Sequence, residues 1–116
     1  MVIINFPDGS DWYKANWTFR QICEDAIVRF PGASELKESL EMAQAYGRLS
    51  LDHEEQMRRR TADALRIVAR ETIAGKIKGW AGAHPEDLDG QEQYLGTIRE
   101  LLGLLEQPGN QSATQR

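Results

Sequence analysis

The sequence predicts an all-α protein, with about four helices in an irregular bundle around one long central helix and a short extended or β N-terminal arm. Three observations predict this fold class. Apolar residues recur at helical spacing along most of the chain, and turn residues such as Pro31-Gly32, Gly47 and Pro108 fall at the ends of these periodic segments. Residues 51–80 also contain no proline, and no glycine before Gly75. We therefore expect one long amphipathic helix over about residues 51–80.

The N-terminal arm comes from residues 2–6, whose sequence VIINF has the composition of a strand, followed by a turn at residues 7–10. No later segment has a convincing strand pattern. A lone strand has no partner within the chain for its backbone groups, so it is either an extended arm or pairs with another copy. We expect the arm.

The first two helices are bounded by turn residues. Residues 16–30 carry apolar side chains on one face, and Pro31-Gly32 ends this segment. Ser34 is a suitable N-cap for the second helix, and Gly47 is a suitable stop. Cys23 falls within the first apolar stripe, so we expect a small buried hydrophobic residue rather than a reactive thiol.

The third and fourth helices carry most of the predicted core. Ser50 is the expected cap of the long helix, and Asp87 or Asp89 is the expected cap of a fourth helix that stops before Pro108. Leu104 lies opposite the apolar stripe of the fourth helix, where a simple bundle leaves it in water. The predicted core residues of these two helices include Leu65 and Leu102.

Composition indicates one domain over residues 1–108, with a polar and disordered tail at residues 109–116. No apolar run approaches the roughly 18 residues that cross a bilayer, and the N-terminus lacks the features of a signal peptide. A single cysteine excludes an internal disulfide framework and a cysteine-rich metal site. We expect a cytoplasmic protein that needs no cofactor and binds no membrane.

The net charge of −4 is unevenly distributed. Residues 51–80 carry seven basic and five acidic side chains, whereas residues 81–116 carry two and six. This pattern favours an acidic fourth helix packed beside a basic third helix. The basic excess is too small for a typical nucleic-acid surface, so we do not expect a nucleic-acid partner.

The predicted third helix is long for a chain of this size. It would span roughly 45 Å at ~1.5 Å per residue, against a radius of gyration near ~13 Å for a compact domain. We expect a homodimer in which the long helices or the leucine-rich fourth helices meet. Leu104 gives weaker support for the same expectation.

An aromatic cluster is the first candidate partner site. Six of the nine aromatic residues lie between Phe6 and Phe30, and Trp12, Tyr13 and Trp17 fall within six positions. Aromatic side chains of this kind anchor protein interfaces. They also form hydrophobic lids, and the sequence leaves both interpretations open.

An arginine row on the long helix is the second candidate. Arg59, Arg66 and Arg70 lie along one side at spacings of seven and four residues. They could bind phosphates or a partner. Ion pairs with acidic residues of the fourth helix are the simpler explanation.

Carboxylates offer an alternative, metal-dependent interpretation. Glu38 and Glu41 lie on the second helix, and Glu54 and Glu55 lie near the start of the third. In all-α metal-dependent nucleotide pyrophosphatases, carboxylate clusters on two neighbouring helices hold magnesium over a phosphate chain. The spacings here do not match that pattern, so the main interpretation assigns no metal site.

No convergent set of nucleophile, base and anion-binding groups is found, so no catalytic residue is predicted. We expect a small cytoplasmic helical protein that binds a macromolecular partner, as a regulator, an adaptor, or an antitoxin or immunity-type inhibitor. The alternative is a metal-dependent all-α hydrolase similar to the nucleotide pyrophosphatases, using the carboxylates of the second helix.

Overall fold

The computed structural model describes residues 1–51 and 56–110, without the side chains of residues 56–58. The protein is mostly helical, at 65% helix, as predicted, but it also contains a small three-stranded sheet where only a short N-terminal arm was expected, so the fold is not purely all-α. The elements in chain order are β1 (Val2–Asn5), β2 (Asp11–Lys14), α1 (Asn16–Arg29), α2 (Ser34–Tyr46), β3 (Arg48–Ser50), α3 (Gln56–Ile73), α4 (Trp80–Ala83), α5 (Leu88–Leu105) and a 3-10 turn (Pro108–Asn110).

The N-terminal segment is the central strand of this sheet, not an arm. The strand order is β2-β1-β3. β1 pairs antiparallel with β2, so that Ile4 lies opposite Trp12, and it pairs parallel with β3, so that Ile4 also lies opposite Leu49. The partner strands have only four and three residues. Such short runs show no clear alternation, which is why the sequence gives no sign of them.

The two faces of the sheet differ in burial because successive strand residues point to opposite sides. The inner face packs on the helices and carries buried apolar side chains, which are Val2, Ile4, Phe6, Trp12 and Leu49. The outer face carries the half-buried Ile3 between the exposed Tyr13 and Arg48. The sheet therefore packs on the helical layer with one face and exposes the other face to solvent.

The boundaries of α1 and α2 agree with the turn residues. α1 ends at Arg29, next to Pro31-Gly32, and α2 begins at Ser34 and has Gly47 as its C-cap. The expected cap role of Ser34 is wrong, because Ser34 is the first helical residue and Ala33 occupies the N-cap position without a side-chain bond. Cys23 is fully buried, as expected.

The central helix is shorter than predicted. α3 ends at Ile73, and Gly75 and Gly79 then adopt positive φ angles of 82° and 57°, which favour glycine and turn the chain away from the helix axis. Ser50 is the last residue of β3 rather than a cap, and the expected start of the helix at residues 52–55 lies outside the described residues. The 18 residues of α3 span about 27 Å, which fits within a molecule measuring 42 × 27 × 26 Å. Helix length therefore no longer argues for a dimer.

The last helix is capped as predicted. Among its leucines, Leu104 is more buried than expected, whereas Leu102, predicted as a core residue, is less buried than expected. The Asp87 side chain accepts a hydrogen bond from the Gly90 N–H at 3.0 Å. Leu101 is fully buried, and Leu102 is partly buried against the core. Leu104 also packs against the core, so the expectation that it faces water is wrong. The second argument for a dimer is therefore lost as well.

The described chain continues past the end of α5 in a 3-10 turn. The side chain of Asn110 accepts a hydrogen bond from the Asp8 N–H at 2.9 Å and donates one to the Leu104 carbonyl at 2.7 Å. Gly109 and Asn110 thus belong to the 3-10 turn. The predicted disordered tail otherwise falls on residues 111–116, which lie outside the described residues.

α3 is the centre of the helical layer, since it packs against α1, α2 and α5. Leu65, Val68 and Ala69 on α3 are fully buried, which confirms Leu65 as a core residue. Among residues 1–51 and 56–110, no helix combines the length and the apolar character needed to cross a membrane.

Candidate functional site

The three predicted aromatic residues do not form one patch. Trp12 points into the core and is 1% exposed, whereas its neighbour Tyr13 points to the outer face of the sheet and is 60% exposed. Trp17 is the second residue of the next element, α1, and its ring centroid lies 4.5 Å from that of Trp80. The alternation of β2 therefore separates side chains that are adjacent in the sequence.

The predicted arginine row is largely occupied by ion pairs. Arg66 is 11% exposed at its side chain, and its Nη1 lies 2.6 Å from Asp63 Oδ1. Arg70 pairs with Glu106 at the end of α5, with Nε 2.8 Å from Oε2, as the charge distribution indicated. Arg59 is half-buried. These arginines mostly serve contacts within the chain.

The carboxylates of the metal-dependent interpretation are not brought together in the described part of the chain. Glu38 and Glu41 are exposed on α2, and Glu54 and Glu55 lie outside the described residues. The described residues contain no group of three or more His, Cys, Asp and Glu side chains placed to hold a metal ion.

A polar pair that the sequence did not predict lies between α1 and α5. The Asp25 carboxylate accepts a hydrogen bond from Gln21 Nε2 at 3.0 Å, but its Oδ2 has no hydrogen-bond partner of normal geometry among the described residues. The buried Tyr94 hydroxyl, which lies near this carboxylate, likewise has no such partner. Burial raises the pKa of Asp25, and the charge of Glu24 adds to the rise, while the bond from Gln21 opposes it.

This polar pair has little contact with solvent, since Tyr94 is buried and Asp25 is half-buried. A Cβ placed on Gly79 would lie 2.9 Å from Tyr94 Cε2 and 3.5 Å from Asp25 Oδ2, so the backbone at Gly79 covers both groups. Trp80 follows, with its ring 3.7 Å from that of His84, and it donates a hydrogen bond to Asp87 Oδ2 at 2.8 Å. Because Tyr94 is buried and Gly79 covers both polar groups, we assign the pair a structural role.

An open groove lies where the α1–α2 corner meets α3, and we call it the α2–α3 groove. Its volume is about 460 Å³, within the usual range for binding sites. The apolar part of its lining comes from Phe30, Ala33, Leu36, Ala64 and Ile67. The polar part comes from Ser34, Glu35, Arg60 and Asp63, with Gly32 at the corner.

The rim of the α2–α3 groove is charged and loosely held. Arg60 Nη1 lies 4.0 Å from Glu35 Oε2, and both side chains are more than half exposed. Such an exposed pair contributes little to stability and can exchange partners. Asp63 shares the rim and holds Arg66 beside it. In the sequence, Pro31-Gly32 predicts the turn between α1 and α2. The groove could not be predicted, because it depends on how α2 packs on α3.

No family model, no curated protein and no solved structure matches this chain in the comparisons with known proteins.

Proposed function

We propose that this chain acts by binding a protein partner in the α2–α3 groove, and that it has no catalytic activity of its own. The observation that carries the proposal is the groove of about 460 Å³ with an apolar floor and a charged rim. Protein interfaces share this arrangement, in which an apolar centre is surrounded by a polar border. A partner would insert an aliphatic or aromatic side chain over Ile67, which is 36% exposed.

The composition of the groove favours a protein over a small molecule. Its charged groups Glu35, Arg60 and Asp63 lie exposed on the rim, where both signs of charge are present. Sites for small molecules usually aim a few buried polar groups at the ligand to fix its orientation. A rim of this kind fits a partner that brings charged side chains of its own around a central apolar anchor.

Several finer expectations stay predictions. They include a role as regulator, adaptor, antitoxin or immunity-type inhibitor, and a cytoplasmic location. Partner contacts at Tyr13 and Trp17 also stay predictions. Trp12 could take part only if the sheet moved, because it is buried beneath it.

The test is affinity purification from an extract of the cells that produce the protein, followed by mass spectrometry. The wild type is compared with Ile67→Lys in the groove and with Val28→Lys, a matched aliphatic control that is exposed on α1 and does not line the groove. Circular dichroism confirms that all three are folded. We expect a protein that is retained by the wild type and by Val28→Lys but lost with Ile67→Lys.

The affinity for the identified partner should then fall roughly 30-fold or more with Ile67→Lys, the effect of losing about 2 kcal/mol at an interface hot spot. Equal retention by Ile67→Lys would show that the groove is not the binding surface. Retention of no protein by the wild type would overturn the proposal.

A further inference from the structure

β3 is an edge strand of the sheet. The hydrogen bonds between β3 and β1 show which backbone groups of β3 are paired with β1. The Ile3 N–H donates to the Gly47 carbonyl at 3.1 Å, and the Leu51 N–H donates to the Asn5 carbonyl at 2.8 Å. In a parallel ladder, alternate residues of a strand bond to the same neighbour. The backbone groups of Leu49 therefore face β1.

The backbone groups of the other two residues of β3 face away from β1. Neither Arg48 nor Ser50 forms a turn or loop hydrogen bond through its backbone within the described ranges. Two N–H groups and two carbonyls thus stand in a row along the open side of β3. Unpaired groups of this kind are a template for another strand.

A second groove, of about 310 Å³, lies beside this open side. The open side of β3 and this groove are together called the β3 edge. Met42 and Tyr46 of α2 line it, and they are 51% and 77% exposed. Ala43 and Leu49 form its buried floor. Apolar surface therefore lies next to the unpaired backbone groups, where an added strand would cover it.

We propose that the β3 edge binds the β3 edge of a second copy of this chain. The two β3 strands would run antiparallel about a two-fold axis at Leu49 and join the two sheets into one of six strands. Arg48 would lie opposite the partner subunit's Ser50, and Ser50 opposite the partner subunit's Arg48. Each pair would exchange two N–H···O bonds, so that every outward backbone group of both strands is paired.

Three features favour a second copy over a strand from another protein. The outward groups are symmetric about Leu49, as a two-fold axis requires. Arg48 faces a serine rather than another arginine, so no like charges lie directly opposite. The edge has only three residues, which matches an equally short strand, whereas a longer strand would leave its own backbone groups unpaired.

Cysteine pairing tests the predicted register. Chains carrying Arg48→Cys and chains carrying Ser50→Cys are mixed and oxidised. Opposite residues would have Cα atoms about 5.5 Å apart, which a disulfide can bridge, so the mixture should give a covalent dimer. Either variant alone should not, because equivalent residues would lie about 8 Å apart, given strand rise and spacing. Native Cys23 is fully buried and adds no background.

Sedimentation equilibrium provides the second test. Ser50→Pro removes an outward N–H while leaving the bonds to β1 in place, which an edge strand tolerates, and Ser50→Ala is its control. We expect twice the 13.1 kDa chain mass for the wild type and for Ser50→Ala, and at least a 10-fold weaker dimer for Ser50→Pro. Circular dichroism checks that the proline variant is folded.

A wild type that stays monomeric at tens of micromolar would overturn the proposal and leave the β3 edge open to a strand from a different protein. A dimer that survives Ser50→Pro and gives no mixed disulfide would place the interface elsewhere. Both outcomes are independent of binding in the α2–α3 groove, which uses other residues.

Discussion

Gly79 allows the sharpest test of the packing around the Asp25–Tyr94 pair. Its backbone angles, a φ of 57° and a ψ of −131°, form a combination that residues other than glycine rarely adopt. A Cβ at this position would also lie 2.9 Å from Tyr94 Cε2, closer than real Cβ contacts. Tyr94 is 1% exposed, so its ring has little room to move. Gly79→Ala therefore introduces backbone strain and a steric clash together.

The size of the effect follows from these two terms. Holding a non-glycine residue in a sparsely populated backbone region costs about 1–3 kcal/mol. Forcing an extra methyl group into a packed interior typically costs about 1–3 kcal/mol. We expect Gly79→Ala to lower the free energy of unfolding by about 2–6 kcal/mol, the sum of the two terms.

Two other glycines serve as controls that separate the cost of backbone strain from the cost of the steric clash. Gly75 has a φ of 82° but open space around its Cβ direction, so Gly75→Ala should show the strain alone, about 1–2 kcal/mol. Gly96 lies within α5 with nothing within 4 Å. Gly96→Ala should instead stabilise the protein by about 0.5–1 kcal/mol, since glycine is unfavourable within a helix.

The assay is urea unfolding followed by circular dichroism, with the free energies compared at unchanged denaturant slope. The expected order of stability is Gly96→Ala, wild type, Gly75→Ala and Gly79→Ala. A Gly79→Ala variant within 0.5 kcal/mol of Gly75→Ala would refute the clash. A Gly79→Ala variant as stable as the wild type would refute the placement of Gly79 over Tyr94.

Three further predictions concern the core and its buried polar groups. Asp25→Asn should be more stable than the wild type at pH 7. Folding raises the pKa of Asp25 above its ordinary 3.8, so the folded state binds the carboxyl proton more tightly than the unfolded state does. The stability from this proton is therefore present at low pH and is lost as the pH rises through the pKa of the folded state. Unfolding measured from pH 3 to pH 8 should show the gain vanish below about pH 4, and a constant gain would contradict this assignment. Leu65→Ala should cost about 2–5 kcal/mol in urea unfolding, and Leu102→Ala less because Leu102 is only partly buried; equal losses would contradict the difference in burial. Cys23 should react with a thiol reagent only in denaturant, since burial raises the pKa of its thiol and excludes the reagent, and fast labelling of the folded protein would show the opposite.

The four longer helices could be predicted from the sequence because their apolar residues recur over many turns and turn residues mark their ends, whereas the four-residue α4 was not predicted. Pro31-Gly32 and Gly47 locate the ends of α1 and α2, and Asp87 locates the start of α5. The end of α3 was missed because Gly75 within a helical pattern is compatible with a bend as well as a stop, and tertiary packing decides between them.

The sheet and the grooves could not be predicted in the same way. β3 has three residues and pairs with a strand more than forty positions away, so neither its period nor its partner is a local property. The α2–α3 groove forms from side chains on both helices, and no segment contains it alone. Arg70 is the exception: the opposite charges of the third and fourth segments predict an ion pair with an acidic residue of the fourth helix, and in the structure this residue is Glu106.

The bridge made by Asn110 ties together parts of the chain that are 102 positions apart. One amide side chain holds both the hairpin turn at Asp8 and the last turn of α5 at Leu104. The C-terminal end of the described chain is thus fastened to the turn between β1 and β2, and neither should fray without loosening the other. Removal of the chain from Asn110 onward should then speed amide hydrogen exchange first in the β1–β2 hairpin, although the hairpin itself is unchanged in sequence.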